Sequence, residues 1–524
     1  MNTLEHTEVG NHLRIDLSEH NNPYLYYGEQ GEIRVRLMRF DQTLPEPMDI
    51  ELSTGEIVAM AGDYYTSYQW DMKLNLPPCH DFDSTEALGR HLIRQPVLPE
   101  EQNALMDAYN NLAAPDVRRK DIDKIYTISQ ASYIPFSTTL NDYTRQLMIY
   151  LRVKNYGELL NRNQTHFTPW SVRVYTLGHH LALNATRIAY ELYQLAENGD
   201  YQPQHEEIRG IWKQLECAHS PLTSEIIRDL AHRYHALAVG IECFTFHYFS
   251  DHFAAGHMAM MGDLRVLLPQ RFGTTMGGIL ANNFHNELNR IGVNTKRIYD
   301  PTPDKNAPTT PATGDDDFDI CRNYFNKKAC IAGMQCSLQD LERVLNGEDI
   351  PEPQQYGGLE YLPDLDDNIR QPKPLFVPGD HGEIYVRNPL NRIPVISPSE
   401  LDAIRANPKA CGYKEVRNKL SAFKLVAQLR LLPFIFEGKE QPLTADERIR
   451  IEEDELQRNP HRKPLPTPPC ETTPGESETI IDWRKSASPN PHRYGLASHG
   501  MYPSRSEKPV MDNETVVESA SNRL

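Results

Sequence analysis

Residues 243–263 read CFTFHYFSDHFAAGHMAMMGD, an aromatic and small-residue run with a polar constellation inside it. The spacing predicts a helix on which His247 and Asp251, four apart, lie one turn above each other on the same face. Both can then grip one ion. His257 follows six residues after Asp251, beyond Ala254, Ala255 and Gly256, whose small size lets a backbone or a ligand come close. Imidazole nitrogen and carboxylate oxygen without thiolate fit a hydrolytic zinc site better than a closed structural one. A single histidine on such a face is ordinarily a hydrogen-bonded core residue. Four polar groups (His247, Asp251, His252, His257) in otherwise mostly apolar sequence are harder to bury, because each costs roughly 1–3 kcal/mol if left unpaired.

The order His, three residues, Asp, five residues, His resembles the central metal motif of the bacterial zinc-dependent phospholipases C and the related zinc nucleases. The surrounding HYFSD and HFAAGH resemble the Pseudomonas and Legionella subgroup most. The resemblance implies a mainly α fold that holds two or three Zn²⁺ ions on His, Asp and Glu side chains and the amino terminus. In the best-known members a Trp amino terminus and a nearby His bind metal. This chain begins Met-Asn, and His6 or His12 fits that pattern only by stretching.

Outward from the central motif, residues 54–65 (TGEIVAMAGDYY) read as an apolar helical turn ended by Gly62, with Asp63 presented at the break. An Asp after Gly is ordinarily a turn former or cap. The GDYY run resembles the GDFY run of the phospholipase subgroup, which implies that Asp63 is a metal ligand beside the attacking water and the catalytic group. At 163–170 (NQTHFTPW), Thr168 before Pro169 is biased towards extended backbone, so the chain is expected to turn into a long helix near Ser171. His166 with Phe167 matches the isolated His-Phe that supplies a ligand in the family. On the following helix, His179 and His180 point about 100° apart and have no clear family counterpart.

A second constellation lies at 281–292 (ANNFHNELNRIG), where His285 and Asn289 are again one helical turn apart. The family carries Glu or Asp at the second position, so Asn289 departs from it. Either its amide oxygen binds weakly, or Glu287 swings in, or one zinc is held more loosely. The ligand set implied by the resemblance is Asp63, His166, His247, Asp251, His257, His285 and Asn289.

The length of 524 residues allows two to four domain-sized units, and 39 Pro residues suggest that part of the chain does not pack. A net charge of -18 opposes binding to nucleic acid and to strongly anionic membranes, but leaves a zwitterionic lipid headgroup open. Eight cysteines occur without a CxxC pair, and Cys217 and Cys243, in helical apolar sequence, read as small core residues. No basic start with an apolar run opens the chain, and no window approaches a membrane span of ~18–20 apolar residues. The protein therefore reads as soluble, with any export using a route that needs no cleaved signal.

Residues 1–75 read as strands or irregular structure, 76–98 as largely a loop with His80 and His91 solvated, and 99–160 as two or three helices. Further helices are expected at about 205–217, from 222 into the central motif, and at 320–346. The acidic run between 315 and 319 reads as a solvated turn. This divides the chain into a zinc phospholipase C-like domain at 1–348, an extension with short strands and helices at 349–456, and a disordered tail at 457–524. SPSE at 397–400 predicts a capped helix start. The tail's polar composition allows either no role beyond solubility or recognition by an export machine or partner, and the Legionella resemblance favours the second, implying a contact with secretion machinery of type IV and a role as an exported virulence effector.

The chemistry this implies is metal-assisted hydrolysis of a phospholipid at a membrane surface, giving diacylglycerol and a phosphorylated headgroup. The absence of a GxSxG elbow and of a Gly-rich phosphate loop counts against serine lipases and P-loop enzymes. A zinc nuclease is the alternative enzyme, opposed by the acidic charge. A non-catalytic helical interaction module is the alternative of another class, favoured by Asn289 and the unmatched amino terminus.

Overall fold

Two long helices, α8 (Ser171–Glu197) and α10 (Ser224–Asp251), lie side by side and form the spine on which the rest is hung. Both are buried on most sides, polar residues such as Arg173, His179 and Glu242 included. Phe244, Phe246, Phe249 and Phe253 are fully buried, each worth about 1.5–3 kcal/mol of burial. Thr223 caps α10 by accepting the N–H of Ile226.

The computed structural model describes residues 1–460 apart from 42–43, 67–69, 136, 154–163, 219–221, 259 and 298–309. The described residues belong to one compact unit, and the fold is mainly α. From residue 461 the expected disordered tail lies outside the described residues.

The chain enters through α1 (Thr3–Asn11), where the sequence led us to expect strands or irregular structure. Its start carries a capping box, Asn2 with Glu5, which was a readable signal for a helix. Strands β1 (Leu25–Tyr27), β2 (Ile33–Arg39) and β3 (Glu46–Ser53) then form an antiparallel sheet. Ser53 and Glu56 box the start of α2 (Thr54–Tyr64), which packs against α1 and α10. Gly62 does not end α2, as expected, but lies inside it with Asp63, because its role is to admit other side chains.

The short α3 (Trp70–Lys73) and α4 (Thr85–Arg94) follow. The segment 76–98 is thus not largely loop: Ser84 caps α4, whose Leu88, Leu92 and Ile93 are buried. His91 is exposed, as expected. Where two or three helices were expected in 99–160, three form: α5 (Pro99–Leu112), α6 (Arg119–Gln130) and α7 (Thr138–Arg152). A buried ion pair, Arg173 with Glu101, ties α5 to α8. Helix α9 (Glu206–Ala218) leaves Cys217 exposed, against the expectation of a core residue, whereas Cys243 is buried.

After α10 come α11 (Met261–Phe272), α12 (Thr274–Ile291) and α13 (Tyr324–Leu345). Strands β4 (Val293–Arg297), β5 (Thr310–Ala312) and β6 (Pro363–Leu365) form a small antiparallel sheet in the order β5-β4-β6. Beyond it are short strands and α14 (Pro398–Ala406), α15 (Lys419–Leu431), α16 (Pro433–Phe436) and α17 (Ala445–Arg458). Ser397 and Glu400 form the predicted capping box of α14. The buried Arg387 guanidinium pins this part to α12 through Glu287, at 2.8 and 2.9 Å. Among the described residues no helix is long and apolar enough to cross a membrane.

Candidate metal centre

Helix α10 ends at Asp251, and the carboxylate it delivers is the hub of the site. His166 Nδ1 donates to Asp251 Oδ2 at 2.7 Å, and His247 Nε2 lies 3.4 Å from the same oxygen. On the other oxygen, the amino group of Met1 donates at 3.0 Å, with His6 Nε2 at 3.2 Å and His257 Nδ1 at 3.5 Å. Asp63 stands 4.0 Å from His247 Nε2. Two overlapping groups, His6–Asp63–His247 and His166–His247–Asp251, each have ligand atoms within 4.8 Å of one another. Such groups could hold metal ions.

The imidazoles are aimed by their other nitrogens. His247 Nδ1 donates to Val58 O at 2.9 Å, and His257 Nδ1 donates to His166 O at 2.9 Å. Ser250 Oγ gives its hydrogen to Phe246 O, so it accepts from His6 Nδ1 at 2.9 Å. A neutral ring that donates from Nδ1 carries a bare lone pair on Nε2. His6 Nε2 is buried, has no hydrogen-bond partner, and faces the Asp251 carboxylate. Two lone-pair atoms at this distance repel unless a proton or a cation lies between them. Backbone-tethered imidazoles presenting the free nitrogen are the usual arrangement around a metal.

The electrostatics agree. Burial, with His6 next, holds His247 well below the ordinary imidazole range, and burial does the same to His257. These rings are neutral and so able to bind metal. Burial would raise Asp251, but His257, the Met1 amino group, His247 and His166 outweigh it and hold the carboxyl well below its usual range. For the Met1 amino group burial lowers the value, yet Asp251, Asp315 and Glu5 push it up to about 11. The open side of the cluster is formed by carboxylates: the side chains of Asp63 and Asp315 retain 32% and 27% exposure. Desolvation raises Asp63 above the ordinary carboxylate value.

Beside Met1 lies a third grouping. The rings of His257 and His285 are 4.9 Å apart, and His285 Nδ1 is 3.4 Å from Asp315 Oδ2. Asn289 occupies the face expected of it, but both ends of its amide are engaged. Its oxygen accepts Gly256 N–H at 2.5 Å and its nitrogen donates to Asp315 Oδ2 at 2.7 Å. The carboxylate presented here is therefore that of Asp315. Glu287 does not swing in, because it is paired with Arg387. Asp315 comes from the run expected to be a solvated turn. The run is a turn with Asp316 and Asp319 exposed, as expected, but it is also tied inward: buried Phe318 donates its N–H to Glu5 Oε1 at 3.1 Å, and Thr313 N–H donates to Asn323 Oδ1 at 3.0 Å. Asp315 and Asp316 adopt φ of 35° and 68°, a region that Asp enters more readily than most residues.

The structure thus brings together Asp63, His166, His247, Asp251, His257, His285 and Asn289, and adds His6, Asp315 and the Met1 amino group. Compared with protein families, curated proteins and solved structures, the chain matches none. The reading of the site therefore stands on its geometry and on the motif order. His252 takes no part, being turned to Ser171 and held neutral by burial, which pushes it down to about 3. His12 bonds only to Glu8 O at the surface. His180 meets Tyr356 OH, and His179 belongs to a separate charged cluster.

Gly62 is the floor of the centre. A Cβ there would lie under 3.0 Å from both His247 and His166, whose rings are tethered and cannot swing away. Gly62→Ala is expected to displace His247 and lower the affinity for a divalent metal ion roughly 10–100-fold, the effect of disturbing a ligand's support. Titration with a competing chelator measures it. Unchanged affinity would mean that these rings are not ligands.

Proposed function

We propose that the chain is a zinc-dependent phosphodiester hydrolase of the phospholipase C type. It cleaves glycerophospholipids, phosphatidylcholine and phosphatidylglycerol among them, to diacylglycerol and a phosphorylated headgroup. The observation that carries the reading is the bare, buried Nε2 of His6 facing Asp251, beside two three-ligand groups that share His247. Nitrogen and oxygen donors without thiolate suit Zn²⁺ in a site that keeps an open side. The order of the central motif, which resembles that of the zinc phospholipases C, supports the same reading.

His247, whose Nε2 is its one free nitrogen, would join either His6 and Asp63 or His166 and Asp251 in holding an ion, with His257, His285 and Asp315 grouped for another. When bound, such ions polarise a phosphoryl oxygen and acidify water near neutral pH. The chain does the rest. The Nδ1 tethers of His6, His247 and His257 fix their tautomers, so that no reorganisation is needed at the moment of reaction. Asp63, on the open side and raised in pKa, is placed to take the proton of the attacking water. Asn289 positions Asp315, whose carboxyl burial would raise but the Met1 amino group, then His285 and Asn289, hold below its usual range.

Purified protein incubated with phosphatidylcholine, phosphatidylglycerol or single-stranded DNA, with and without chelator, tests this directly. Diacylglycerol should appear from lipid, vanish with chelator and return with Zn²⁺. Lipid cleavage that persists after removal of all metal sinks the proposal, and cleavage of DNA alone moves the site to the nuclease alternative.

A further inference from the structure

Helices α15 and α16 expose a run of large apolar side chains that the fold does not use. Leu420, Phe423, Leu431, Leu432, Phe434 and Ile435 all face solvent, with Leu420, Leu431 and Phe434 at 76%, 75% and 70% exposure. The opposite face of α15, Ala422, Leu425 and Leu429, is buried, so the helix is anchored and its outer face is held out. Single exposed leucines are ordinary, but six within sixteen residues mark a surface that is covered in use.

The charge around this run is the reverse of the chain's. Arg417, Lys419, Lys424 and Lys439 are exposed on 417–439, while Glu437, the acidic residue of that stretch, is engaged by Thr139 at 3.2 Å and Arg290 at 3.6 Å. A protein of net charge -18 therefore carries one outward basic and apolar face. Apolar and aromatic side chains ringed by Lys and Arg suit a surface of phospholipid headgroups, with the basic groups among the phosphates and the apolar ones below them.

The face also lies against the metal centre's own helix. Arg290, next to Asn289, donates to Gly438 O at 2.7 Å, and Arg430 reaches Asn282 on α12. Arg430 also covers the ring of Tyr143 on α7, 3.7 Å from its centroid. The stripe of α7 that begins at Tyr143 runs on through exposed Leu147, Tyr150 and Leu151, one helical face by spacing.

We propose that α15 and α16 are a membrane-docking wedge that inserts into a phospholipid bilayer containing anionic lipid and sets the metal centre at its surface. The partner's identity rests on the phospholipase reading above. The net acidic charge of the chain is repelled by such a bilayer, so docking through this basic face sets the orientation.

The test uses the full chain stripped of metal by chelator, so that binding is read without turnover. Co-sedimentation with vesicles of phosphatidylcholine containing phosphatidylglycerol should capture the protein, and added salt should weaken the capture. The double variant Leu431→Ser, Phe434→Ser should lose roughly tenfold or more of its vesicle partition, with its circular dichroism unchanged. Lys419→Glu with Lys424→Glu should weaken it as well. With zinc restored, both variants should hydrolyse a soluble short-chain phosphatidylcholine at the wild-type rate. Wild-type protein that ignores the vesicles, variants that bind as well as wild type, or a solution dimer split by the same substitutions would each overturn the wedge. Vesicle binding without lipid hydrolysis by zinc-loaded protein would instead overturn the enzymatic reading and leave the wedge standing.

Discussion

On the proposed zinc hydrolase reading, Asp251→Asn is expected to strip the protein of zinc and abolish lipid hydrolysis while leaving its helical content in place. The substitution is nearly isosteric, so the end of α10 keeps its packing among Phe249, Phe253 and the helices around it. What changes is charge. The two oxygens of Asp251 serve five nitrogens, those of Met1, His6, His166, His247 and His257. An amide offers one acceptor oxygen and turns two hydrogens towards that same ring of nitrogens. The Met1 amino group, buried and pushed up to about 11 by Asp251 and its neighbours, loses its nearest carboxylate. Removing one partner of a buried pair costs about 3 kcal/mol or more. Activity should fall by more than the roughly 100-fold that losing an outer support of a ligand costs, because here a ligand itself is lost. Metal analysis, phosphatidylcholine hydrolysis and a melting curve on the same preparation separate these effects. Full zinc content in the variant would take Asp251 out of the centre.

The central motif was legible because its signal is local. His247 and Asp251 share a helix, and the four-residue spacing places them on one face whatever the rest of the chain does. The same holds for His285 and Asn289, whose four-residue spacing places them on one face of α12. His166 and Asp63 were read only through the resemblance, because His166 lies in a short turn ahead of α8 and Asp63, inside α2, has no spaced polar partner on its own segment. His6 was within reach: Asn2 with Glu5 forms a capping box, and a helix begun at Thr3 carries His6 beneath α10. Asp315 was not, since its place depends on Asn289, Phe318 and Asn323, all distant in composition or in sequence from an acidic loop. A run of three aspartates reads as solvated whenever the groups that order it lie elsewhere.

Stability should fall as pH rises from neutrality, by on the order of 3 kcal/mol in total, because of a buried cluster unrelated to the metal centre. His179 on α8 is fully buried between two carboxylates. Its Nδ1 faces Glu242 of α10 at 2.9 and 3.0 Å, and its Nε2 faces Asp340 of α13 at 3.3 Å. Asp340 is held in turn by Arg343 and by the N–H of Gly357 at 2.7 Å. Burial alone would lower the imidazole, but Glu242 and Asp340 outweigh it and push it up to about 9 from 6.5. The folded ring therefore binds its proton more tightly than the unfolded ring. Its contribution is full below pH 6.5 and is lost as pH climbs through about 9, leaving buried Glu242 without its cation where three helices meet, while Arg343 still pairs with Asp340. Urea unfolding of chelated protein across that window gives the slope. Glu242→Gln removes the larger of the two attractions, so the decline should move to lower pH, while Arg343 keeps Asp340 paired. A slope that Glu242→Gln leaves in place would assign the pH dependence to other groups and mean that the buried ring is neutral.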